Sequence, residues 1–262
     1  MNTKNLEFLA AYLGQLLDVA NQITGRLSSL AKAIKSAHVT LMLALTRMDS
    51  QNARISVFEE KELFVSSPYQ ANFTKCSLIV PESRIIAGLL LQGIEGSDWD
   101  KQVRDLNVLQ KRTAKTADSY ATLARSRLQT MGADLWEFVR DGSAPLATHA
   151  VLAATVKFSP LFGDFMRTVV RDQFRRFATP LETRHWDAYI EDCLRSQPNM
   201  PTLSDSTRVK LRQNAMRMLA EAGFIENTRS LRLRSQQIEP AVLHYLRQHN
   251  EQYVLDCLQV CP

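Results

Sequence analysis

Residues 204–223 read Ser204-Asp205-Ser206-Thr207-Arg208-Val209-Lys210-Leu211-Arg212-Gln213-Asn214-Ala215-Met216-Arg217-Met218-Leu219-Ala220-Glu221-Ala222-Gly223. The pattern predicts a helix over 204–222. Ser204, Asp205 and Ser206 are N-cap residue types, and Gly223 supplies the stop. Leu211, Ala215, Met218 and Ala222 recur at helical spacing and make an inward stripe. Lys210, Gln213 and Arg217 fall away from that stripe, with Asn214 beside them. Lysine and arginine reach phosphates or guanine, and amides pair with adenine. Phe224-Ile225-Glu226 and Leu231-Arg232-Leu233-Arg234 then flank an Asn-Thr-Arg-Ser turn, which reads as a small hairpin. Helix, glycine and hairpin follow in the order of a winged helix, with Arg229, Arg232 and Arg234 on the wing.

Working outward, the rest of the chain is also helical by period. Helices are expected at 5–24 and 27–48, at a short segment between Pro81 and Gly93, and from a capping box at Ser97 and Asp100. Others are expected at 113–130, around Trp136 to Gly142, at 145–158, at 160–177, around 181–195 and at 240–258. On 160–177, Phe162, Phe165, Met166, Val169, Val170 and Phe174 make one face. Breaks near Ser66-Ser67-Pro68 and at Gln197-Pro198-Asn199-Met200-Pro201 divide the chain into residues 1–66, a helical core over 67–196, and a winged-helix-like region over 202–262. The expected fold class is mainly α, a multi-helix globular protein with a small C-terminal β-hairpin.

Composition limits function. Of 262 residues, 45% are hydrophobic and 23% charged, the balance of a folded protein. The net charge of +5 is mild, but it is unevenly spread. Residues 101–128 hold seven basic residues against two acidic, and residues 204–234 hold seven against three. Lys111, Arg112, Lys115, Arg125, Arg127, Arg208, Lys210, Arg212, Gln213, Arg217, Arg232 and Arg234 are therefore the candidate nucleic-acid contacts. Exposed basic helix faces also occur simply as solvated surface. Arg167, Arg171 and Arg175 line another helix face at like-charge spacing. Either an anionic partner or carboxylates from other helices must relieve them.

Phosphate-cradling, dinucleotide, zinc-protease and hydrolase-elbow motifs are all absent. Cys257 and Cys261 share a helix face, but two ligands do not make a structural zinc site. No catalytic residue, metal ligand or cofactor is expected. Cys76, Cys193, Cys257 and Cys261 read as free thiols of a cytoplasmic protein. The most apolar stretch, 6–24, contains Glu7, Gln15, Asp18 and Asn21, so no membrane span is expected.

Three stretches carry a resemblance. They are Cys76-Ser77-Leu78-Ile79-Val80-Pro81-Glu82-Ser83-Arg84; Asn107-Val108-Leu109-Gln110-Lys111-Arg112-Thr113 leading to Arg125-Ser126-Arg127-Leu128; and Leu203-Ser204-Asp205-Ser206-Thr207-Arg208-Val209-Lys210-Leu211-Arg212. In this order they resemble the BrxA family of bacteriophage exclusion (BREX) systems, over residues 67–250. The resemblance implies a helical fold similar to the antitermination factor NusB. It also implies double-stranded DNA binding without catalysis. The implied partners are a DNA methyltransferase, an ATPase and a phosphatase-like protein encoded alongside. A scaffold role within such a complex is the second reading, with Trp136, Trp186 and Tyr189 as interface anchors. RNA binding, by the NusB analogy, is the third. Residues 1–66 fall outside the resemblance, as an extra helical hairpin or as the product of an upstream start.

Overall fold

The computed structural model describes residues 69–261. They belong to a compact unit spanning Ser66–Pro262. The helices expected at 5–24 and 27–48, and the extension 1–66 itself, lie outside the described residues. The described residues are mainly helical.

At the centre lies α5 (Ala144–Phe158), in a chain that also forms α1 (Val80–Leu91), α2 (Gly96–Asp100), α3 (Ala114–Leu128) and α4 (Ala133–Asp141). Helix α5 begins with a Ser143 side-chain cap and Pro145 in its first turn. Ala147, Ala150, Ala153 and Ala154 are fully buried along it. Their small side chains let neighbours approach on several sides, and α1, α3 and α4 all pack against it. Thr113 caps α3 by accepting from the Thr116 N–H at 3.2 Å. In contrast to the expected capping box at Ser97 and Asp100, Glu95 precedes α2 and no side chain caps it. Helix α2 instead runs on through a π turn over Lys101–Asp105.

The expected helix over 160–177 is built from α6 (Pro160–Phe165), a π turn over Met166–Val170, and α7 (Arg171–Arg175). Helix α8 (Thr183–Ser196) and α9 (Asp205–Glu221) pack on each other. Phe73, Phe162, Phe165, Trp186 and Tyr189 form one aromatic cluster, with Phe165 and Trp186 edge-on at 4.7 Å between centroids. Residues from both sides of the linker at 197–201 enter the same core, including Trp186, Leu211 and Leu219.

The last expected helix is divided. Helix α10 (Pro240–Gln248) and α11 (Gln252–Leu258) are separated at Asn250, which has φ 56. Both lie against α5.

The hairpin is also corrected. No strand forms among the described residues. Ile225 faces Leu233 across one isolated antiparallel bridge, and Pro180 faces Arg232 across another. Asn227 Oδ1 builds the turn by accepting from the N–H groups of Arg229 and Ser230, each at 2.9 Å. Residues 224–226 leave Gly223 directly and offer too few residues for a ladder. On the other side, Pro180 has no N–H to extend one.

His149 illustrates how the centre is tuned. It is buried, and its Nδ1 accepts from the Glu239 N–H at 3.1 Å. Burial pushes its pKa below the ordinary value, outweighing the opposing pull of the Glu239 carboxylate. The unfolded chain therefore takes up this proton more readily than the folded one. Stability is fully present above pH about 6.5 and falls as pH drops below it, by at most about 1.4 kcal/mol per pH unit for this one proton. Urea midpoints between pH 8 and 5.5 should show that slope. It should flatten in His149→Asn, whose Oδ1 keeps an acceptor without the titration.

Candidate nucleic-acid interface

The twelve sequence candidates divide into three groups by what their side chains touch. The first contains Arg127 alone, which is 1% exposed. It sits on α3 facing the core, and one Nη donates to the carbonyls of Ser77 at 2.6 Å and Leu78 at 3.3 Å. Burial pushes its pKa down to about 10, against the opposing effects of Cys76 and Glu221. That value still leaves the cation intact at neutrality. Arg127 braces the segment before α1 and reaches no external ligand, so its assignment as a nucleic-acid contact is corrected. The cause is helical phase: Arg127 continues the Ala117, Ala121 and Ala124 buried face of α3.

The second group is committed to carboxylates. Lys111 pairs with Glu82 and lies 4.3 Å over the ring of Tyr120. Arg125 pairs with Glu95 at 3.1 Å and covers the ring of Trp99. Arg208 pairs with Glu191, and Arg212 pairs with Asp187 at 2.7 Å, both bridging α9 to α8. Their acidic partners come from segments remote in sequence, so local charge counting could not find them.

The third group has exposed side chains and no ion pair among the described residues. It comprises Arg112, Lys115, Lys210, Gln213, Arg217, Arg232 and Arg234. On α9, Ser204 accepts from the Thr207 N–H at 3.3 Å, fixing the helix start. Leu211, Ala215, Met218 and Ala222 are buried as expected. That phase leaves Lys210, Gln213 and Arg217 on the outer face. Asn214, read beside them, is instead buried and donates to the Phe73 carbonyl at 2.8 Å.

Tyr120 on α3 lies beside one of the paired cations. Lys111 stacks on its ring from one side. Its phenol pKa is raised, chiefly by a hydrogen bond with Cys76, with Arg217 as a small opposing influence. An open depression of about 430 Å³ lies beside Tyr120, also lined by Glu82, Thr148 and Glu221. Its carboxylates have internal partners. Glu82 holds Lys111, and Glu221 accepts from the Ser77 hydroxyl at 2.7 Å and the Leu78 N–H at 2.9 Å. The helical period over 113–130 turns Tyr120 inward, and nothing local in the sequence places Glu221 beside it.

The arginine stripe runs from the π turn into α7, and two of its three members have partners within the fold. Arg167 pairs with Asp164 at 2.9 Å, and Arg171 donates to the carbonyl of Asp256 in α11. Arg175 stays exposed. Trp186 and Tyr189, read as interface anchors, are core residues, and the Tyr189 hydroxyl donates to the Leu161 carbonyl at 2.9 Å. Trp136 is half-buried and donates to the Leu128 carbonyl. No group of three His, Cys, Asp or Glu residues suited to a metal ion occurs among the described residues. None of their helices is long and apolar enough to cross a membrane.

Among the described residues, fold and surface define a mainly helical protein built around a buried central helix, with cations on the outer face of α9 that have no ion pair. A sequence model of the BrxA family matches residues 67–250, and the chain belongs to that family, a component of BREX phage-defence systems. The BREX protein BrxA of Paramagnetospirillum magneticum is 48% identical over 192 residues, covering 73% of this chain and 96% of that one. The BREX protein BrxA of Escherichia coli O9:H4 is 30% identical over 182 residues, covering 70% and 85%. A crystal structure of an uncharacterized protein from Magnetospirillum magneticum matches with a TM-score of 0.69 at 47% identity. It covers 73% of this chain and 98% of that one.

Proposed function

We propose that this BrxA-family protein is a non-enzymatic accessory component of its BREX system that binds duplex DNA mainly through phosphates. One observation carries the reading. Lys210, Gln213 and Arg217 share the outer face of α9, exposed and without carboxylate partners among the described residues. Cations already held by carboxylates gain little from a phosphate, whereas unpaired ones release counterions when they meet it. Arg112 and Lys115 extend the surface from the start of α3. Arg232 and Arg234 extend it from the turn after α9, which acts as a minimal wing against the backbone. No base-reading set is complete on this face, so sequence selectivity is weak.

Membership of a BREX system supports contact with its methyltransferase, ATPase or phosphatase-like subunit. Burial of Trp186 and Tyr189 removes two of the three anchors on which a purely scaffolding role rested. The test is a fluorescence anisotropy titration of the full chain with labelled duplex DNA at several salt concentrations. Affinity should fall linearly on a log–log plot against salt. Absence of binding at low salt would end the proposal, and stronger competition by duplex RNA than by DNA would transfer it to RNA.

A further inference from the structure

Phe177 is 87% exposed, the most exposed large apolar side chain among the described residues. It also has φ 53, a left-handed conformation that a bulky aromatic rarely adopts. The sequence pattern placed this residue inside a helix, but the helix ends just before it. The Phe177 N–H donates to the Phe174 carbonyl at 3.1 Å, and the Ala178 N–H to the Gln173 carbonyl at 3.0 Å. Glycine is the usual residue at this kind of helix exit. The chain instead places an aromatic there, on a backbone fixed by these two bonds.

The far side of Phe177 is pinned as well. The Thr179 carbonyl accepts from the Leu233 N–H at 2.9 Å, and the Leu181 N–H donates to the Leu231 carbonyl at 2.8 Å. Those bonds tie the Phe177 turn to the basic turn that carries Arg229, Arg232 and Arg234, all exposed. Arg175, exposed on the preceding helical turn, adds a further cation. The acidic groups nearby have partners. Asp172 holds Arg176 at 2.8 Å, and Glu226 accepts from the Ser230 hydroxyl at 3.0 Å.

From an exposed aromatic on a hydrogen-bonded turn, beside arginines that have no ion pair among the described residues, we infer that Phe177 is a wedge that inserts between base pairs of duplex DNA and kinks it, while the arginines hold the flanking phosphates. This rests on the DNA-binding reading and adds a distortion to it. A wedge needs one apolar side chain free to enter a base step, with cationic neighbours for the backbone. Single-strand binders line up several aromatics for successive bases, and this turn offers one. Pyrimidine–purine steps are the favoured sites because they unstack most easily.

The test uses the full chain and a duplex of about 25 base pairs with a donor and acceptor at its ends. A 2-aminopurine replaces adenine at a central TA step. Wild-type protein should raise the 2-aminopurine fluorescence and shorten the end-to-end distance. Phe177→Ala should keep its melting temperature, bind with the same salt slope and produce neither signal, while Phe177→Trp should restore both. Wild-type protein that binds without either signal overturns the wedge and leaves DNA binding intact, as does Phe177→Ala behaving like wild type. A wild-type protein that binds no duplex overturns both readings together.

Discussion

Replacing Arg127 with alanine should unfold this protein more readily rather than loosen its grip on DNA. Arg127 is almost fully buried, and its guanidinium satisfies the carbonyls of Ser77 and Leu78, just ahead of α1. Truncation leaves those acceptors without their donor, each at about 1–3 kcal/mol. It also leaves a cavity and removes a cation that interacts favourably with Glu221. Because Nε and the other Nη of Arg127 have no partner among the described residues, these losses are partly offset, and the combined cost should be roughly 3–5 kcal/mol. For a domain of this size that is a fall in Tm of about 6–20 °C. Arg127→Met should lose less than Arg127→Ala, because the thioether chain fills part of the space. For the fraction that remains folded, DNA affinity and its salt slope should match wild type. Wild-type thermal stability combined with weakened DNA binding would show that Arg127 reaches outside the fold after all.

The second large effect concerns the exposed cations. Changing Lys210, Arg217, Arg232 and Arg234 together to glutamine should lower the salt slope of DNA binding by about 3.6, taking roughly 0.9 for each lost phosphate contact. Near 0.1 M salt this corresponds to a loss of affinity on the order of 10³-fold. The control changes Lys111, Arg125, Arg208 and Arg212, all held by carboxylates. Both variants remove the same number of positive charges. Any difference between them therefore reports direct contact rather than long-range attraction. Equal losses would reduce the proposal to a general field effect, and a larger loss in the control would place the DNA on a different face. Circular dichroism on both variants checks that the fold survives. Because the first set has no ion pairs among the described residues, its removal should cost little stability.

Period and punctuation in the sequence were enough to locate most helices. Leu211, Ala215, Met218 and Ala222 identify the buried side of α9, and the Ser204 cap and Gly223 stop bound it, because these signals act within a few residues. The same local logic could not tell that Arg127 turns inward or that Asn214 serves the core. It also could not foresee that Phe177 lies beyond its helix. Nor could it join Arg208 to Glu191 or Lys111 to Glu82, since each carboxylate comes from a separate element.

The sequence by itself determined that residues 69–261 are mainly helical, where the apolar stripe of α9 lies, and which family the chain resembles. Those properties reside in local spacing and in the order of its motifs. Only the tertiary structure decided which positive charges remain available to a ligand. Pairing and burial depend on what folding brings alongside each side chain: Arg127 is enclosed, Arg212 is held by Asp187, and Lys210 stays exposed on the same surface as Arg217.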